Sequence, residues 1–177
     1  MLEAIRTYFF ERAKRKRLKA TLTSPLGFHH DRKNHYGLLT DASSIDDRLI
    51  VNSFAEDLRK DGNRVKILGF FNGKMETIST PFDIITINDL NKVSQVPKTA
   101  VAEDFMSQAF DVLINLSIKE NHRPLDFISS VSKASFRIGP WYAQQQTNPY
   151  DLCIDAGNSA TLKEWISELM HTLQKIY

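Results

Sequence analysis

What this chain has little of narrows it first. Its 177 residues include one cysteine, Cys153, so neither an intramolecular disulfide framework nor a multi-thiolate metal site can be built. A reducing compartment is the expected setting. No run approaches the roughly 18 apolar residues of a membrane span. A secretory signal would place its cations before an apolar region of about 7 to 15 residues, whereas here "YFF" comes first and the cations follow. These absences lead to the expectation of a cytoplasmic protein. Phosphate-binding motifs are missing as well. The first strand-to-helix turn reads "TDASSID", with no glycine where a dinucleotide fingerprint needs close backbone approach. It also puts Asp41, Asp46 and Asp47 where a pyrophosphate would sit. Without a P-loop, an HExxH pair or a nucleophile elbow, no cofactor is expected, no catalytic residue can be named, and nicotinamide and nucleoside-triphosphate enzymes are disfavoured.

What is present is the composition of a globular domain, 42% hydrophobic and 25% charged, at a length that fits one domain. The net charge of +2 hides an asymmetry. Residues 1–20 carry seven cations, Arg6, Arg12, Lys14, Arg15, Lys16, Arg17 and Lys19, against Glu3 and Glu11, or +5; the remaining 16 cations and 19 anions make the rest −3. The basicity is therefore local.

Along the chain, "TSPLGFHHDRKNH" (Thr23 to His35) mixes Pro, Gly and polar residues without periodicity and reads as a linker. The body then starts near Tyr36. "YGLLTDASS" gives a short strand and a turn, and Ser44 caps a helix with Asp46 and Asp47 in its first turn; Ile45, Leu49, Phe54 and Leu58 are the expected buried stripe. Asp61-Gly62 stops that helix. "RVKILGFF" (Arg64 to Phe71) and "FDIITIN" (Phe82 to Asn88) are strands. "VAEDFMSQ" is a short helix leading into "FDVLINLS" (Phe110 to Ser117), apolar on both faces as a central parallel strand is. Pro124 opens a helix that buries Leu125, Ile128 and Val131; "SFRIG" and "YDLCIDAGN" are the last strands. The closing helix has a capping box at Thr161 and Glu164 and a 3.6-residue stripe of Leu162, Trp165, Ile166, Leu169, Met170 and Leu173.

Alternating strands and helices predict a Rossmann-like three-layer α/β/α fold, with a mostly parallel sheet of about six strands in the order 3-2-1-4-5-6, behind a basic N-terminal helix. The predicted organisation is a basic helical arm over 1–20, a linker over 21–35 and the α/β domain over 36–177.

In such sheets ligands bind beyond the carboxyl ends of the strands, where the strand order reverses. The polar groups expected there are Asp41, Ser43, Ser44, Asn115, Ser117 and Lys119, with Asp155, Gly157 and Asn158 from the last strand loop. The same residue types are also the usual helix caps and turn formers. His29, His30, Asp31 and His35 are the one cluster of metal-ligand types, in a loop that offers no preorganisation, so no metal is expected. His122 and His171 stand alone and suit caps or surface, and Cys153 suits a buried inert thiol. "GPWYAQQQTNPYD" (Gly139 to Asp151) could use Trp141 and Tyr142 for stacking, but such aromatics more often fold back over the domain edge.

On a helical wheel Leu2, Ile5, Phe9 and Ala13 share one face, and Lys16 follows on it. From Arg12 to Lys19 the cations point nearly all round. An in-plane membrane helix keeps an apolar face along its length; cations on every side suit immersion among phosphates better. The readings are a docked helix with a solvated basic end, a contact with RNA or a ribonucleoprotein, and a contact with a membrane surface. Among anionic partners RNA is favoured. The functional expectation is a non-enzymatic binding or accessory protein whose cationic helix (Arg6, Arg12, Lys14, Arg15, Lys16, Arg17, Lys19) meets an anionic partner; the alternative is a small-molecule-binding domain or enzyme using the strand-end cleft.

Two resemblances bear on this. "FDVLINLSIKENHRPLDFISSVSKASFRIG" (Phe110 to Gly139) resembles the strand–helix–strand of the acceptor half of heptosyltransferase-type glycosyltransferases. That implies a Rossmann-like half without the activity, because the nucleotide-sugar donor of that family binds largely to a second domain for which no residues are left. Over nearly its whole length, with the basic helix, "GLLTDA", "VKILGFF", "FDVLINLS", "SKASFRIG", "NPYDLCID" and the closing helix in order, the chain is similar to a bacterial family of short α/β proteins known as a domain of unknown function. This resemblance supports the fold and its extent and transfers no active residues.

Overall fold

In the computed structural model the described residues are 2–18, 32–73, 79–118, 122–141, 149–155 and 161–176, without the side chains of residues 2, 17 and 18. Lys19, His29, His30, Asp31, Lys119, Tyr142, the glutamines at 144–146, Gly157 and Asn158 lie outside them, as does the side chain of Arg17. In chain order the elements are α1 (Leu2–Leu18), β1 (His35–Asp41), α2 (Ile45–Lys60), β2 (Arg64–Phe71), β3 (Asp83–Thr86), a 3₁₀ turn (Ile87–Asp89), α3 (Ala100–Ser107), β4 (Val112–Asn115), α4 (Arg123–Val131), β5 (Phe136–Trp141), β6 (Leu152–Asp155) and α5 (Leu162–Ile176).

The six strands form one sheet in the order β3-β2-β1-β4-β5-β6, every pairing parallel. Parallel neighbours need crossovers, and their right-handedness decides which face each helix covers. Steps toward β3 put α2 on one face; steps toward β6 put α3 and α4 on the other. The chain thus has two cores. Tyr36, Leu38, Ile67, Val112, Ile114, Ile138 and Ile154 point to the face covered by α2 and α5. Leu39, Leu68, Phe70, Ile85 and Leu113 point to the face covered by α3 and α4, the alternation that a pleated strand imposes. β4 lies between β1 and β5 and is buried along its whole length, as a strand covered on both faces must be.

Local chemistry fixes the ends of α2. Ser44 Oγ accepts from the N–H of Asp47 at 3.2 Å. At the other end Gly62 takes φ +86°, a left-handed conformation cheap only for glycine; its N–H donates to Arg59 O and that of Asn63 to Leu58 O, which is a Schellman close. Between these ends the buried residues are Val51, Phe54, Ala55 and Leu58, while Ile45 and Leu49 are 65% and 64% exposed. The expected stripe was thus half wrong. Nine residues separate Ile45 from Phe54, about two and a half turns, which puts them on opposite faces. α5 follows its stripe: Leu162, Trp165, Ile166, Leu169 and Leu173 are buried. Thr161 and Glu164 exchange the hydrogen bonds of a capping box. Trp165 Nε1 also donates to Ile154 O, 3.3 Å away, tying α5 to β6.

Candidate functional site

The helix α1 is not a free arm. Phe10 is 5% exposed and its ring meets Phe127 of α4 edge-on at 6.0 Å, so it joins the core of the α3/α4 face. One turn on, Lys14 Nζ lies 3.6 Å from Asp126 Oδ2, with side chains 7% and 11% exposed. A lysine this deep is held by its partner, because an unpaired buried charge costs several kcal/mol. Arg123, at the start of α4, forms an ion pair with Glu3 and donates to Thr7 Oγ1 at 3.1 Å. α4 is buried on all sides from Pro124 to Val131; α1 supplies part of that cover.

The docked face is therefore that of Phe10 and Lys14. Ile5 and Phe9, the expected docking residues, are 46% and 40% exposed. Phe10 sits about 100° round the helix from Phe9, and what selects it is the hollow beside Phe127 together with the Asp126 charge. Sequence periodicity carries neither. Of the predicted cations, Lys14 is spent on Asp126, whereas Arg12, Arg15 and Lys16 are exposed and Arg6 is half-buried. None of these four makes an ion pair among the described residues. The outward side of α1 thus carries Ile5, Tyr8 and Phe9 toward its start and Arg12, Arg15 and Lys16 toward its end.

Part of that side borders a groove of about 440 Å³, lined by Phe9, Arg12, Ala13 and Lys16 from α1 and by Asn91, Val93 and Ser94 from the segment before α3. The second wall is a self-braced turn. Asn91 Oδ1 accepts from the N–H groups of Val93 and Ser94 at 3.0 Å each, Asn91 N donates to Val96 O at 2.8 Å, and Gln95 closes the turn at φ 56°. Arg123 reaches Gln95 Oε1 at 3.4 Å while it holds Glu3 and Thr7, so one guanidinium joins both walls.

At the strand ends the predicted cleft residues separate. Asp41 accepts from Ser43 Oγ at 2.6 Å and Ser43 N at 2.9 Å through Oδ1, and its Oδ2 lies 3.2 Å from His122 Nε2. Burial alone would raise the Asp41 pKa; the hydrogen bonds from His122 and Ser43 outweigh it and bring it down to about 2. His122 is thus not isolated: it stands at the N-cap of α4 with its ring against Phe70. The serine hydroxyl is spent on the carboxylate rather than on the imidazole, so the three groups do not form a nucleophile–base relay. Ser117 borders Asp41 in a cavity of about 10 Å³ with Thr40, Asp47, Leu116, Ile118 and Leu162, room for about one water. Ser44 is the α2 cap. Asn115 instead turns into the core: Nδ2 donates to Tyr150 Oη at 2.6 Å and Oδ1 accepts from Ser117 N at 3.0 Å. Burial raises the Tyr150 pKa well above the ordinary tyrosine range. The Tyr150 ring rests on Gly139, where a Cβ would collide with it. Asp155 ends β6, three places from β1 in the sheet, or about 14 Å away.

Of the other candidates, His35 lies in β1 with its ring 4.8 Å from that of Phe110, and no group of three metal-ligand side chains occurs among the described residues. Cys153 is half-buried rather than fully buried. Trp141 is 51% exposed instead of folded back, while Tyr150 enters the body, where it meets Asn115 and Gly139. No helix among the described residues is long and apolar enough to cross a membrane. The residues that sequence reasoning missed are Phe9 as a surface residue, His122 as the partner of Asp41, and Asn91, Ser94 and Arg123. Only Arg123, a lone cation directly before the helix-opening Pro124, carried any local signal.

Comparison with the curated proteins and with the solved structures finds no match, and nothing found supports the glycosyltransferase resemblance. A family match does exist, and it runs over residues 6–176, from inside α1 to the last turn of α5. The chain therefore belongs to a family of unknown function, DUF6913, whose unit takes in most of α1 together with the parallel sheet.

Proposed function

We propose that this protein is a non-enzymatic binding or accessory module whose N-terminal helix presents a fixed cationic face to an anionic partner, RNA or a ribonucleoprotein ahead of a membrane surface. The observation that carries this reading is the division of labour among the cations of α1. Lys14 is used to dock the helix, while Arg12, Arg15 and Lys16 are exposed and make no ion pair among the described residues. A docked helix holds its charges in register, so that phosphates meet an arranged row rather than a flexible tail, and each neutralised phosphate adds salt-dependent affinity. The net charge of −3 after residue 20 leaves this face as the part of the chain suited to an anion. The strand-end cleft gives less support to the small-molecule alternative, because Asp41, Ser43 and Asn115 are engaged with protein groups and the cavity beside Asp41 is about 10 Å³.

The test is co-purification from the native source with and without nuclease, followed by filter binding of the purified chain to total RNA over a salt series. The reading expects nucleic acid in the untreated sample and retention that falls steeply as salt rises. A nuclease-insensitive, salt-insensitive preparation that retains no RNA would sink it.

A further inference from the structure

Resting on that reading, we infer that the groove between α1 and the 91–97 turn seats one unstacked nucleotide of single-stranded RNA, its base against Phe9 and Val93 and its phosphates at Arg12 and Lys16. The groove combines groups that a single class of ligand would use together. Phe9 and Val93 are 40% and 48% exposed and give each wall an apolar contact, that of α1 an aromatic ring. Arg12 and Lys16 line the same space one helical turn apart, about 6 Å along the axis. Polar donors complete it. With Asn91 Oδ1 fixed by two backbone N–H groups, the Asn91 side-chain N–H₂ and the Ser94 hydroxyl have no hydrogen-bond partner among the described residues. They can serve a base edge or a ribose hydroxyl. An acyl chain would leave those donors unused, so a lipid fits less well. A duplex keeps its bases stacked and cannot offer one to a groove, whereas a single strand can.

The walls are also set in advance. Arg123 touches Glu3, Thr7 and Gln95 at once and is a positioning residue: its removal lets the walls part without deleting any group that faces the nucleotide. Preorganisation of this kind lowers the ordering cost of binding.

Fluorescence anisotropy of a labelled oligouridylate with the full chain, over a salt series, tests the proposal. Phe9→Ala is expected to weaken binding on the order of tenfold or more, the usual loss for one stacked base, with the slope of log K against log salt unchanged. Phe9→Trp should retain binding. Arg12→Ala and Lys16→Ala should each reduce the slope by about 0.7. Arg123→Gln should weaken binding at every salt, with the groove-facing variants then showing smaller additional losses. Phe9 is an exposed residue, so its variants should melt as the wild type does, and a circular dichroism melt checks this. If Phe9→Ala and Asn91→Ala bind as tightly as wild type while the cation variants lose slope, the groove proposal fails and the cationic-helix reading stands. If the wild type shows no salt-dependent binding, the reading fails with it. Duplex RNA competing as well as the single strand overturns the groove assignment, and so does binding of phosphatidylserine vesicles in place of RNA.

Discussion

The first and last helices of this chain dock by different physics. α5 carries a continuous stripe, Leu162, Trp165, Ile166, Leu169 and Leu173, and is held by burial of apolar area, which is non-directional and large. Among its described side chains α1 buries one aromatic, Phe10, and one ion pair, Lys14 with Asp126, and leaves Ile5, Tyr8 and Phe9 on the surface. α5 spends its apolar residues on the fold. α1 docks through Phe10, Ala13, Lys14 and the Glu3 and Thr7 contacts to Arg123, and its outward face stays exposed.

The comparison can be broken most sharply at α5. Trp165→Ala should cost about 3–5 kcal/mol, the usual loss for a fully buried aromatic, seen in urea denaturation as a lower midpoint for the whole domain. A loss below about 1 kcal/mol, outside the usual range for that substitution, would mean that α5 is no better anchored than α1. At α1 the corresponding change is Lys14→Ala, which strands the Asp126 carboxylate. The full penalty for breaking a buried pair is about 3–5 kcal/mol, but α1 can lift off and rehydrate the carboxylate. The measured loss should therefore be smaller than for Trp165→Ala, with tryptic cleavage in α1 accelerated while the sheet stays protected. Uniform sensitivity of the whole chain to trypsin would show that α1 and the sheet unfold as one unit.

A smaller effect asks whether α4, the platform for α1, is tied to the sheet at its N-terminus. The Asp41 pKa is about 2 in the folded chain against an ordinary value of 3.8. Its stabilisation is present above the ordinary value and is lost as pH falls toward 2, a contribution of about 1–2 kcal/mol for a partly exposed carboxylate. Wild type should lose this increment between pH 4 and pH 2. Asp41→Asn should lack it, so that the gap between the two proteins closes on acidification; a constant gap would remove the linkage. The smallest effect belongs to the exposed pair on α2: Ile45→Ser and Leu49→Ser should each shift stability by no more than about 0.5 kcal/mol. Larger losses by thermal melt would mean that this face is covered.

The sheet was legible because each strand is a short apolar run closed by turn residues, and because parallel crossovers leave few orders open. The six-strand order follows from the chain, as do the Ser44 cap, the Thr161–Glu164 box and the α5 stripe. α1 was not legible, since a helix with both Phe9 and Phe10 offers two apolar faces about 100° apart. The choice between them lies in Phe127 and Asp126, more than a hundred residues away. The same holds for the strand ends. Asp41 was foreseen, but its partner His122 arrives from α4, and Asn115 is drawn inward by Tyr150, a residue whose burial depends on Gly139 having no side chain. Long-range pairings of this kind leave no local pattern.

The central claim, that the outward face of α1 is the working surface, is tested most directly by one slope. The affinity of a single-stranded RNA is measured against salt for wild type and for the combined Arg12→Ala, Arg15→Ala, Lys16→Ala variant. If these cations neutralise phosphates, the log–log slope should flatten by about 2, from roughly 0.7 per phosphate released on a single strand, with the melting curve unchanged. Superimposable salt dependences for the two proteins would contradict the account.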